Sequence, residues 1–575
     1  MDNENFKKNV EISGSSKDQM LNFAEIVIQN PTFDKIALEY EELQSSLKNV
    51  NDTDSCIALV KEWDQLCRRL YTWYYLVELK FKQDTSNEGF KATLQYRDEL
   101  WPKVTELEIA MKRQLLQAPF RIDIEAKFNK HITAIWDADI LVYEPIIKED
   151  LIQESNLKAQ YTELRAAAKI QFRGKTYSFS EIGKFCEDKD RNIRNETQKS
   201  KWDWVAENED KFDSIFDALV KRRTEIAQKL GYANYIDFSY KKWKRIGYDQ
   251  TNVEKYRKEV LKHVVPLTRT LHEKQRHRLG LEKLYAYDAP LFSLKGNPEP
   301  QGDHNFIIAH ATEMFDALGT EMSNFFQMMT NCHLFDLKAQ AHPECFYLPS
   351  YEVPYIFANF NGTMHDIEAF IHEMGHAFQY YCSRQKSLLD YQSPTWDSCE
   401  IHAMSLEFLT YPFMQKFFGD QGAQQYRQIH LTKALQLMPY SVAIDHFQHL
   451  VYANPTASPS DRHAMWKKME NLYLPDWDWG DLKYGAKGGR WQLTPHIYET
   501  PMFYIDYSLA QCCALQFWLK SEEDFEETMG SYIRLCKRGG EVSFQDLINS
   551  AKLNNPFEEG SLTDVVKRAH QLLNF

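Results

Sequence analysis

Apolar residues recur at spacings of three and four along most of this 575-residue chain. In the stretch from residue 57 to residue 79, helical spacing joins Trp63, Leu66, Leu70 and Trp73. The same periodicity returns near residues 90–118, 193–231, 251–279 and 305–332. Glycine and proline are sparse, at 22 and 20 residues, which is typical of long helices with short connections. The pattern predicts a mainly α-helical protein without a fixed-period repeat.

Two internal segments and the N-terminus depart from this periodicity. Residues 121–143 mix β-branched and aromatic residues with charges, and could form strands or a loop. Residues 334–361 contain short apolar runs, and the last of them, at 355–360, predicts a β-strand. The first 18 residues are rich in Asn, Lys, Ser and Gly, which predicts a flexible N-terminus.

Composition and charge narrow the class of protein. Hydrophobic residues make up 43% of the chain and aromatic residues 14%, which suffices for a large core and excludes a disordered protein. The length suggests roughly two to four packed lobes. A net charge of −14 argues against a nucleic-acid partner, because phosphate neutralisation requires clustered Lys and Arg. The basic clusters at 221–223 and 241–245 are interpreted as solvated helix faces.

Sequence signals for export or membrane insertion are not found either. Residues 1–6 are polar and predict no secretory signal. No run approaches the roughly 18 apolar residues that a membrane-spanning helix needs. Ten cysteines are scattered without a Cys-x-x-Cys pair, which argues against both a disulfide framework and a thiolate metal site. These features predict a cytoplasmic protein with no membrane partner.

The strongest candidate for chemistry is the His-Glu-x-x-His sequence from His372 to His376. Residues 368–381 have helical composition, and residues four apart on a helix differ by only about 40° in azimuth, so both imidazoles point the same way. Glu373 lies about 100° from His372, beside a metal rather than bound to it, where a general base is needed. Because a short motif can arise by chance, histidines satisfied by hydrogen bonds in the core remain the alternative.

A catalytic zinc usually has three protein ligands and one open position, so a third ligand must come from elsewhere. Ser-Pro at 393–394 predicts a helix start, and this helix would run through residues 396–408. One face of it carries the carboxylates of Asp397, Glu400 and Glu407. Its other faces are apolar, so these carboxylates would be costly to bury unless they meet a cation. A solvated acidic stripe is the alternative, and His402 is a rival ligand about 200° from Glu400.

Residues 357–408 resemble the thimet oligopeptidase and oligoendopeptidase F group of metallopeptidases. In that group a His-Glu-x-Gly-His helix is followed, just under thirty residues on, by a glutamate ligand and seven residues later by another glutamate. Glu400 and Glu407 stand in those places. Residues 445–455 and 495–507, with their His and paired Tyr residues, are similar to the oligoendopeptidase F branch.

The similar motifs span about residues 355–510, whereas the first 200 residues match only in length and helical character. One departure is Gln379, where many members of the group carry His. Because this position lies outside the ligand set, we expect the metal site to be intact.

The resemblance implies a mainly α-helical, two-lobed metallopeptidase with a deep central channel, a zinc-binding helix and a small β-sheet beside the active site. A flexible N-terminus at 1–18 would precede an N-terminal helical lobe at 19–195 and a catalytic domain at 196–575. The ligands of one Zn²⁺ per chain would be His372, His376 and Glu400. The substrates would be short unfolded oligopeptides, hydrolysed by attack of water at the metal with Glu373 as the general base.

Carboxylates near the predicted metal are candidates to orient a ligating imidazole. Such an imidazole usually donates its second N–H to a carboxylate or a carbonyl. The candidates are Glu407, Asp397 and Glu368, of which Glu407 is preferred slightly.

Peptide hydrolysis places negative charge on the former carbonyl oxygen, and hydrogen-bond donors are needed to stabilise that charge. His496 and Tyr507 are predicted for this role, with Tyr504 and Tyr498 as lesser candidates. The glycines at 488–489 precede this segment and could let it close on a substrate.

The predicted strand is a candidate for binding substrate. An extended peptide can pair with a strand edge through main-chain hydrogen bonds. The residues expected to contact the peptide are Ala358, Asn359, Phe360 and Tyr498.

Alternative functions are weaker. A helical peptide-binding protein with an inactive metal site is the main rival, but the intact Glu373 argues against it. His446 and His449 could form a second metal site, or be helix histidines bonded within the core or to substrate. No Gly-x-Ser-x-Gly supports a serine hydrolase, and no Gly-Lys-Ser/Thr follows the glycines at 485–489, which excludes a phosphate loop. Cleavage preference, peptide length limit and oligomeric state stay open.

Overall fold

The computed structural model describes residues 23, 26, 28–338, 342–358 and 360–573, and the predicted flexible N-terminus at 1–18 lies outside them. The chain is mainly α-helical, as predicted. Its first helices are α1 (Phe33–Lys48), α2 (Thr53–Gln83), α3 (Glu88–Gln117), α4 (Arg121–Phe128), α5 (Lys130–Leu141) and α6 (Lys148–Ala166).

A hairpin of β1 (Ile170–Phe172) and β2 (Lys175–Tyr177) follows. The next helices are α7 (Phe179–Ile182), α8 (Arg191–Glu207), α9 (Glu209–Lys229), α10 (Tyr235–Lys242), α11 (Gln250–Glu259), α12 (Val265–Arg278), α13 (His304–Ala317) and α14 (Thr320–Asn331). The stretches predicted near 193–231 and 305–332 are therefore each divided into two helices. The second division lies at Gly319, whose φ of 115° is readily adopted only by glycine.

The second sheet comes next along the chain, between α14 and the remaining helices. It contains β3 (Phe335–Asp336), β4 (Glu344–Leu348) and β5 (Val353–Phe357). The helices after it are α15 (Met364–Ser383), α16 (Trp396–Leu409), α17 (Gln415–Ala453), α18 (Pro459–Tyr473), α19 (Lys483–Lys487), α20 (Pro495–Glu499), α21 (Ile505–Glu523), α22 (Phe525–Arg538), α23 (Phe544–Ser550) and α24 (Thr563–Leu572).

The segment at 121–143 forms the short helices α4 and α5 rather than the strands or loop that its composition suggested. Asn129 lies between them with a φ of 95°, and its side chain accepts a hydrogen bond from the backbone N–H of His131 at the start of α5. The β-branched residues Ile132 and Ile135 are buried in the core. Tertiary packing thus outweighs their preference for strands.

The strand predicted at 355–360 is β5, which begins two residues earlier and occupies the centre of its sheet. It is parallel to β3 and antiparallel to β4, with Cys345 opposite Ile356. Because both neighbours are strands of the protein, β5 has no free edge. The prediction that this strand binds a peptide by edge pairing is therefore wrong.

Buried apolar side chains form two large clusters. One joins α1 to α5 around Trp63 and Trp136, and also receives Leu388 and Tyr391 from the connection after α15. The other holds the second sheet and the helices from α8 onwards, and it includes Tyr161 of α6 and the buried leucines Leu76 and Leu79 near the end of α2. Apart from that end of α2, the packing changes between α5 and α6, while the domain boundary predicted at 195 stays a prediction.

Within the described ranges, no helix combines the length and the apolar character needed to cross a lipid bilayer. All ten cysteines are unpaired. The adjacent Cys512 and Cys513 are fully buried in α21, where they pack as small apolar side chains.

Candidate metal centre

The His-Glu-x-x-His sequence lies in α15, the helix that follows the central strand. The Asp366 carboxylate accepts hydrogen bonds from the backbone N–H groups of Asn361 and Gly362, at 3.0 and 2.7 Å, and so holds the turn that begins the helix. Phe370 and Ile371, the two residues directly before the motif, are fully buried. Packing therefore fixes the helix that carries the two histidines.

Gly375, inside the motif, determines how closely the next helix approaches. A Cβ atom there would lie 2.5 Å from Cα of Ala403 and 2.8 Å from the carbonyl oxygen of His402, both in α16. Glycine thus allows the backbones of α15 and α16 into contact. The start of α16 is slightly later than Ser-Pro at 393–394 suggested, because Thr395 keeps an extended backbone and is its N-cap.

This close approach brings one carboxylate oxygen against two imidazole nitrogens. Nε2 of His372 lies 3.3 Å from Oε2 of Glu400, and Nε2 of His376 lies 3.6 Å from the same oxygen. Donor atoms bound to a tetrahedral zinc are about 3.3 Å apart, so the spacing fits. Oε2 of Glu400 is buried and has no hydrogen-bond partner among the described residues. A cation held by these three side chains would satisfy it.

Charges around the three side chains favour a positive ion between them. Burial alone would lower the pKa of His372, but the carboxylates of Glu400 and Glu407 raise it well above its ordinary value. Burial would likewise raise the pKa of Glu400, yet the two histidines hold that pKa far below its ordinary value. Glu400 therefore stays ionised in a buried site, the state in which a carboxylate binds a metal.

Glu407 joins the site to a buried series of polar side chains. Its Oε1 lies 2.6 Å from Nδ1 of His372, and its Oε2 lies 2.5 Å from Nε2 of His430 in α17. Nδ1 of His430 lies 2.7 Å from the hydroxyl of Tyr411. Glu407 thus fixes the ring of His372 with Nε2 toward Glu400. Sequence reasoning missed His430 and Tyr411, since neither lies at a motif spacing from the histidines.

The other two carboxylates considered for this contact are engaged elsewhere. Oδ1 of Asp397 accepts hydrogen bonds from the hydroxyls of Thr395 and Ser398, at 2.6 and 3.1 Å. Glu368 lies one turn before the motif and pairs with Lys433 at 3.3 Å. Both residues lie on the two helices that carry the candidate ligands, but each carboxylate binds a neighbouring polar group instead of a histidine of the motif. The predicted contact with a histidine of the motif is therefore wrong for both.

Glu373 is buried and lies outside the group of converging donor atoms. Burial raises the pKa of Glu373 above its ordinary value, against the opposing effect of the two histidines. A carboxylate with a raised pKa holds a proton more readily near neutral pH. This is the property that a general base requires.

The side chains of His496 and Tyr507 contact each other near the converging ligand atoms of His372, His376 and Glu400. Nε2 of His496 lies 3.1 Å from the hydroxyl of Tyr507. Burial lowers the pKa of His496 to about 4, so its ring is neutral at pH 7. Burial and the nearby charge of Glu400 raise the pKa of Tyr507, so its hydroxyl keeps its proton. The ring of Tyr504 packs against both, with centroids 4.9 and 5.2 Å away.

Two buried arginines hold the segment that carries these groups. Arg245 donates to the carbonyl of Met502 at 2.6 Å and pairs with Asp506 at 2.9 Å. Arg223 is fully buried, pairs with Glu154 at 2.8 Å and donates to two consecutive carbonyls of α20. Both belong to the basic clusters interpreted as solvated helix faces. That interpretation is wrong for these two arginines, because carbonyls and carboxylates bind them inside the protein.

Several residues predicted to contact substrate are used internally. Tyr498 is fully buried and stacks on Tyr161, with ring centroids 3.9 Å apart. Its predicted contact with substrate or oxyanion is therefore wrong. The backbone N–H groups of Ala358 and Phe360 donate to the carbonyls of Asp336, the last residue of β3, and of Leu337, so their predicted pairing with a peptide is wrong as well. Asn359 lies outside the described residues.

Two further features of the sequence have structural explanations. Nδ1 of His446 lies 3.0 Å from the hydroxyl of Tyr473, and Nδ1 of His449 lies 2.9 Å from the carbonyl of Asp445. Among the described residues, neither histidine joins a group of converging metal-ligand atoms, so core hydrogen bonding is the better interpretation. Gln379 donates to a hydroxyl in α15 and to a carbonyl of the following connection, away from the converging donors.

Cavities reach this region from two directions. A cavity of about 230 Å³ is lined by Trp63 and Trp136 of the N-terminal helices and by His376. Another, of about 320 Å³, is lined in part by Tyr440, whose ring centroid lies 5.9 Å from that of Tyr504. Space lined in part by aromatic side chains therefore lies near His376 and near Tyr504.

Comparison with known protein families gives two matches. Residues 23–143 match the peptidase M3 N-terminal domain, and residues 185–345 and 338–566 match peptidase family M3. Comparison with curated proteins gives no match.

Similar solved structures extend over nearly the whole chain. PZ peptidase A with inhibitor 2 is 39% identical, has a TM-score of 0.92, and is matched over 96% of this chain and 99% of its own. A protein provisionally named oligoendopeptidase F is 38% identical, with the same TM-score and the same coverage. Another with that provisional name, from Bacillus anthracis str. Ames, is 34% identical, with a TM-score of 0.87 and coverage of 96% and 98%. This chain therefore belongs to peptidase family M3 and is a metalloendopeptidase.

Proposed function

We propose that this protein is a zinc-dependent endopeptidase that hydrolyses short, unfolded oligopeptides. The proposal rests on one observation: two histidine nitrogens and one unsatisfied carboxylate oxygen converge at the spacing of tetrahedral zinc ligands. The residues that would hold one Zn²⁺ per chain are His372, His376 and Glu400. When bound, the ion would act as a Lewis acid toward the scissile carbonyl and toward water.

Glu373 is the general base in this proposal. It lies on α15 next to His372 and is not one of the converging ligands. Its carboxylate takes a proton from the attacking water and passes it to the nitrogen of the leaving amine. The raised pKa of Glu373, caused by burial, supports this role because it brings proton affinity closer to neutral pH.

His496 and Tyr507 donate hydrogen bonds to the oxygen of the scissile carbonyl as negative charge develops on it. Support comes from their mutual contact and from the neutral states that burial imposes on both. A donor held in place before the reaction stabilises such charge without reorganisation. Tyr504 is the lesser candidate, since it packs against both rings.

Glu407 positions His372 rather than touching substrate. Its two oxygens are occupied by His372 and His430, so it resists rotation of either ring. A carboxylate in this place also favours the proton on Nδ1 of His372, so a metal would displace only the proton on Nε2. Tyr411 completes the series behind His430.

Substrate preference for oligopeptides is supported by the enclosed shape of the site. The cavity near His376 lies between the N-terminal helices and α15, so a folded protein could not enter it. Main-chain pairing with a peptide would have to use one of the two outer strands, β3 or β4, rather than β5 itself. The cytoplasmic location predicted from the cysteine pattern stays a prediction.

The function is tested with a quenched fluorescent peptide of about ten residues and with the same sequence inserted in a folded carrier protein. We expect cleavage of the free peptide, loss of cleavage after removal of metal by a chelator, and recovery on addition of zinc chloride. Cleavage that survives complete removal of metal, or equal cleavage of the folded carrier, would contradict the proposal.

A further inference from the structure

Another group of histidine and carboxylate side chains lies apart from the catalytic centre. Ligand atoms of Glu209, Asp213 and His463 all lie within 4.8 Å of one another. We refer to these three residues as the second cluster. Glu209 and Asp213 are one turn apart at the start of α9, and His463 projects from α18.

The histidine of the second cluster is buried and incompletely bonded. His463 is only 3% exposed, and its Nε2 lies 3.2 Å from Oε1 of Glu209. That nitrogen nevertheless has no partner with hydrogen-bond geometry among the described residues. The same combination, a short distance without a satisfied hydrogen bond, marks His372 and Glu400 in the catalytic centre.

The other ring nitrogen of His463 has two neighbours. Nδ1 lies 3.1 Å from the carbonyl oxygen of Gly488 and 3.2 Å from Nε1 of Trp491. If Nδ1–H donates to Gly488, Nε2 carries a lone pair directed into the cluster, which is the usual arrangement of a metal-bound histidine. If Nδ1 instead accepts from Trp491, Nε2 carries the proton. A cation would select the first of these tautomers.

The carboxylates supply more negative charge than their partners neutralise. Oδ1 of Asp213 accepts a hydrogen bond from the neutral amide of Gln492 at 2.7 Å. Glu209 pairs with the ammonium of Lys487 at 2.6 Å, but the side chain of Lys487 is 53% exposed. An exposed ammonium contributes little to a pair of this kind, so it is a displaceable partner.

We propose that Glu209, Asp213 and His463 bind a second divalent cation, separate from the catalytic metal. One imidazole and two carboxylates suit Zn²⁺, because zinc accepts nitrogen and oxygen ligands together. The ion replaces Lys487 on Glu209, and Lys487 moves into solvent.

The position of the second cluster gives this ion a structural role. It joins α9 and α18 to the glycines at 488–489, which lead through α20 to His496. Gly488 has a φ of 106°, and a Cβ atom there would lie only 2.5 Å from the carbonyl oxygen of His463. The backbone therefore approaches α18 as closely as it can, and a bound ion holds the two together.

The metal content of the natural protein and of four variants tests the proposal. Each is freed of metal by a chelator, saturated with zinc chloride, desalted and analysed by plasma mass spectrometry. We expect two zinc ions in the natural protein, one in Glu400→Gln, one in Glu209→Gln/Asp213→Asn, and none in the triple variant. Asp210→Asn, which removes an exposed acid from the same turn of α9, is the matched control and should keep two.

The outcomes separate this proposal from the proposed function. One zinc in the natural protein that is lost in Glu400→Gln but kept in Glu209→Gln/Asp213→Asn overturns the second site and leaves the catalytic one. One zinc in the natural protein that is lost in Glu209→Gln/Asp213→Asn but kept in Glu400→Gln overturns the catalytic site and leaves the second one. If the double variant fails to fold, Glu209→Gln alone replaces it, because Glu209 is partly exposed. It should weaken zinc binding to the Glu400→Gln protein at least about tenfold in calorimetric titration, and unchanged affinity overturns the proposal.

Discussion

The catalytic centre and the second cluster present similar donor atoms in different surroundings. A histidine Nε2 lies 3.3 Å from a carboxylate oxygen in the former and 3.2 Å in the latter. In the catalytic centre that oxygen has no hydrogen-bond partner among the described residues. In the second cluster it carries the ammonium of Lys487. The first site, as proposed, would therefore take an ion directly, whereas the second would have to release Lys487 from Glu209 to take one.

The residues around the metal-ligand atoms differ even more between the two sites. The proposed catalytic centre has Glu373, a buried carboxylate with a raised pKa, and the neighbouring pair His496 and Tyr507, which are the proposed hydrogen-bond donors to substrate. The second cluster is backed by a glutamine amide and a backbone carbonyl, neither of which can take a proton from water. In these two proposals the ligands alone specify an ion, while residues that are not ligands, such as Glu373, decide whether the site can catalyse a reaction.

The largest effect is expected from Glu400→Gln. A neutral amide cannot replace the ionised carboxylate that faces both histidines, so zinc binding at the catalytic centre and peptide cleavage should both be lost. Metal analysis and the fluorescent peptide assay measure the two effects. Full activity with an unchanged zinc content would remove Glu400 from the site, whereas the second cluster should keep its ion in this variant.

Glu373→Gln should separate binding from chemistry. The ligands stay in place, so we expect the zinc content to be unchanged and cleavage to fall by about a thousandfold, since the base is lost. Glu368→Gln, on the same helix but paired with Lys433, is the control and should stay within a few-fold of the natural activity. Near-normal turnover of the Glu373 variant would exclude it as the base.

Tyr507→Phe removes one hydroxyl and little volume. We expect kcat to fall by about a hundredfold, the loss typical of one oxyanion donor, with zinc content and KM nearly unchanged. Tyr504→Phe is the matched control and should have a smaller effect. If the Tyr504 variant is inactive while the Tyr507 variant is normal, the role belongs to Tyr504.

Arg245→Met tests how much Arg245 stabilises the segment at 502–507, which carries Tyr504 and Tyr507. The change leaves Asp506 buried without its guanidinium and should lower the free energy of unfolding by about 3 kcal/mol, measured by urea denaturation. Burial already raises the pKa of Asp506 to about 8, so the acid can take up a proton and limit the loss. Arg245→Met/Asp506→Asn should recover part of the stability. Equal stability of all three proteins would show that the pair is not structural.

The smallest effect is expected from Lys487→Met. Removing the competing ammonium should tighten zinc binding at the second cluster by about fivefold, which corresponds to the roughly 1 kcal/mol of an exposed ion pair. Calorimetry on the Glu400→Gln protein measures it, and Lys483→Met, an exposed lysine of the same helix, is the control. Peptide cleavage should not change. Weaker zinc binding would mean that Lys487 assists the ion rather than competing with it.

Helical periodicity carried much of the sequence prediction. Residues four apart on α15 and seven apart on α16 were placed on shared faces correctly, because helix geometry is nearly independent of context. The contact of Glu407 with His372 followed from that spacing together with the family resemblance. The same spacing could not distinguish Glu407 from Asp397, since the choice depends on which partner each side chain meets.

The sequence predictions that were wrong, for β5 and for Arg223, failed because they depend on contacts between residues far apart in the chain. The order of the second sheet depends on pairing between β5 and β3, which are separated by β4 in the chain, so a single run of apolar residues could not show that β5 is central. Arg223 adjoins other basic residues in sequence, but its guanidinium lies among carbonyls from α20. Sequence alone gives the charge of a side chain and not the place where its end lies.

Gly375 has a consequence for the choice of metal. Since its missing side chain brings α15 and α16 into backbone contact, the separation of the two helices sets the distance between the histidine nitrogens and Glu400. Any larger residue would push the helices apart and widen the opening between the three ligands. A wider opening would lengthen the three ligand-to-metal distances beyond the about 2.05 Å that zinc prefers, while two imidazoles would still not suit an oxygen-seeking ion such as Ca²⁺. A residue that is not a ligand thus helps to fit the proposed site to zinc.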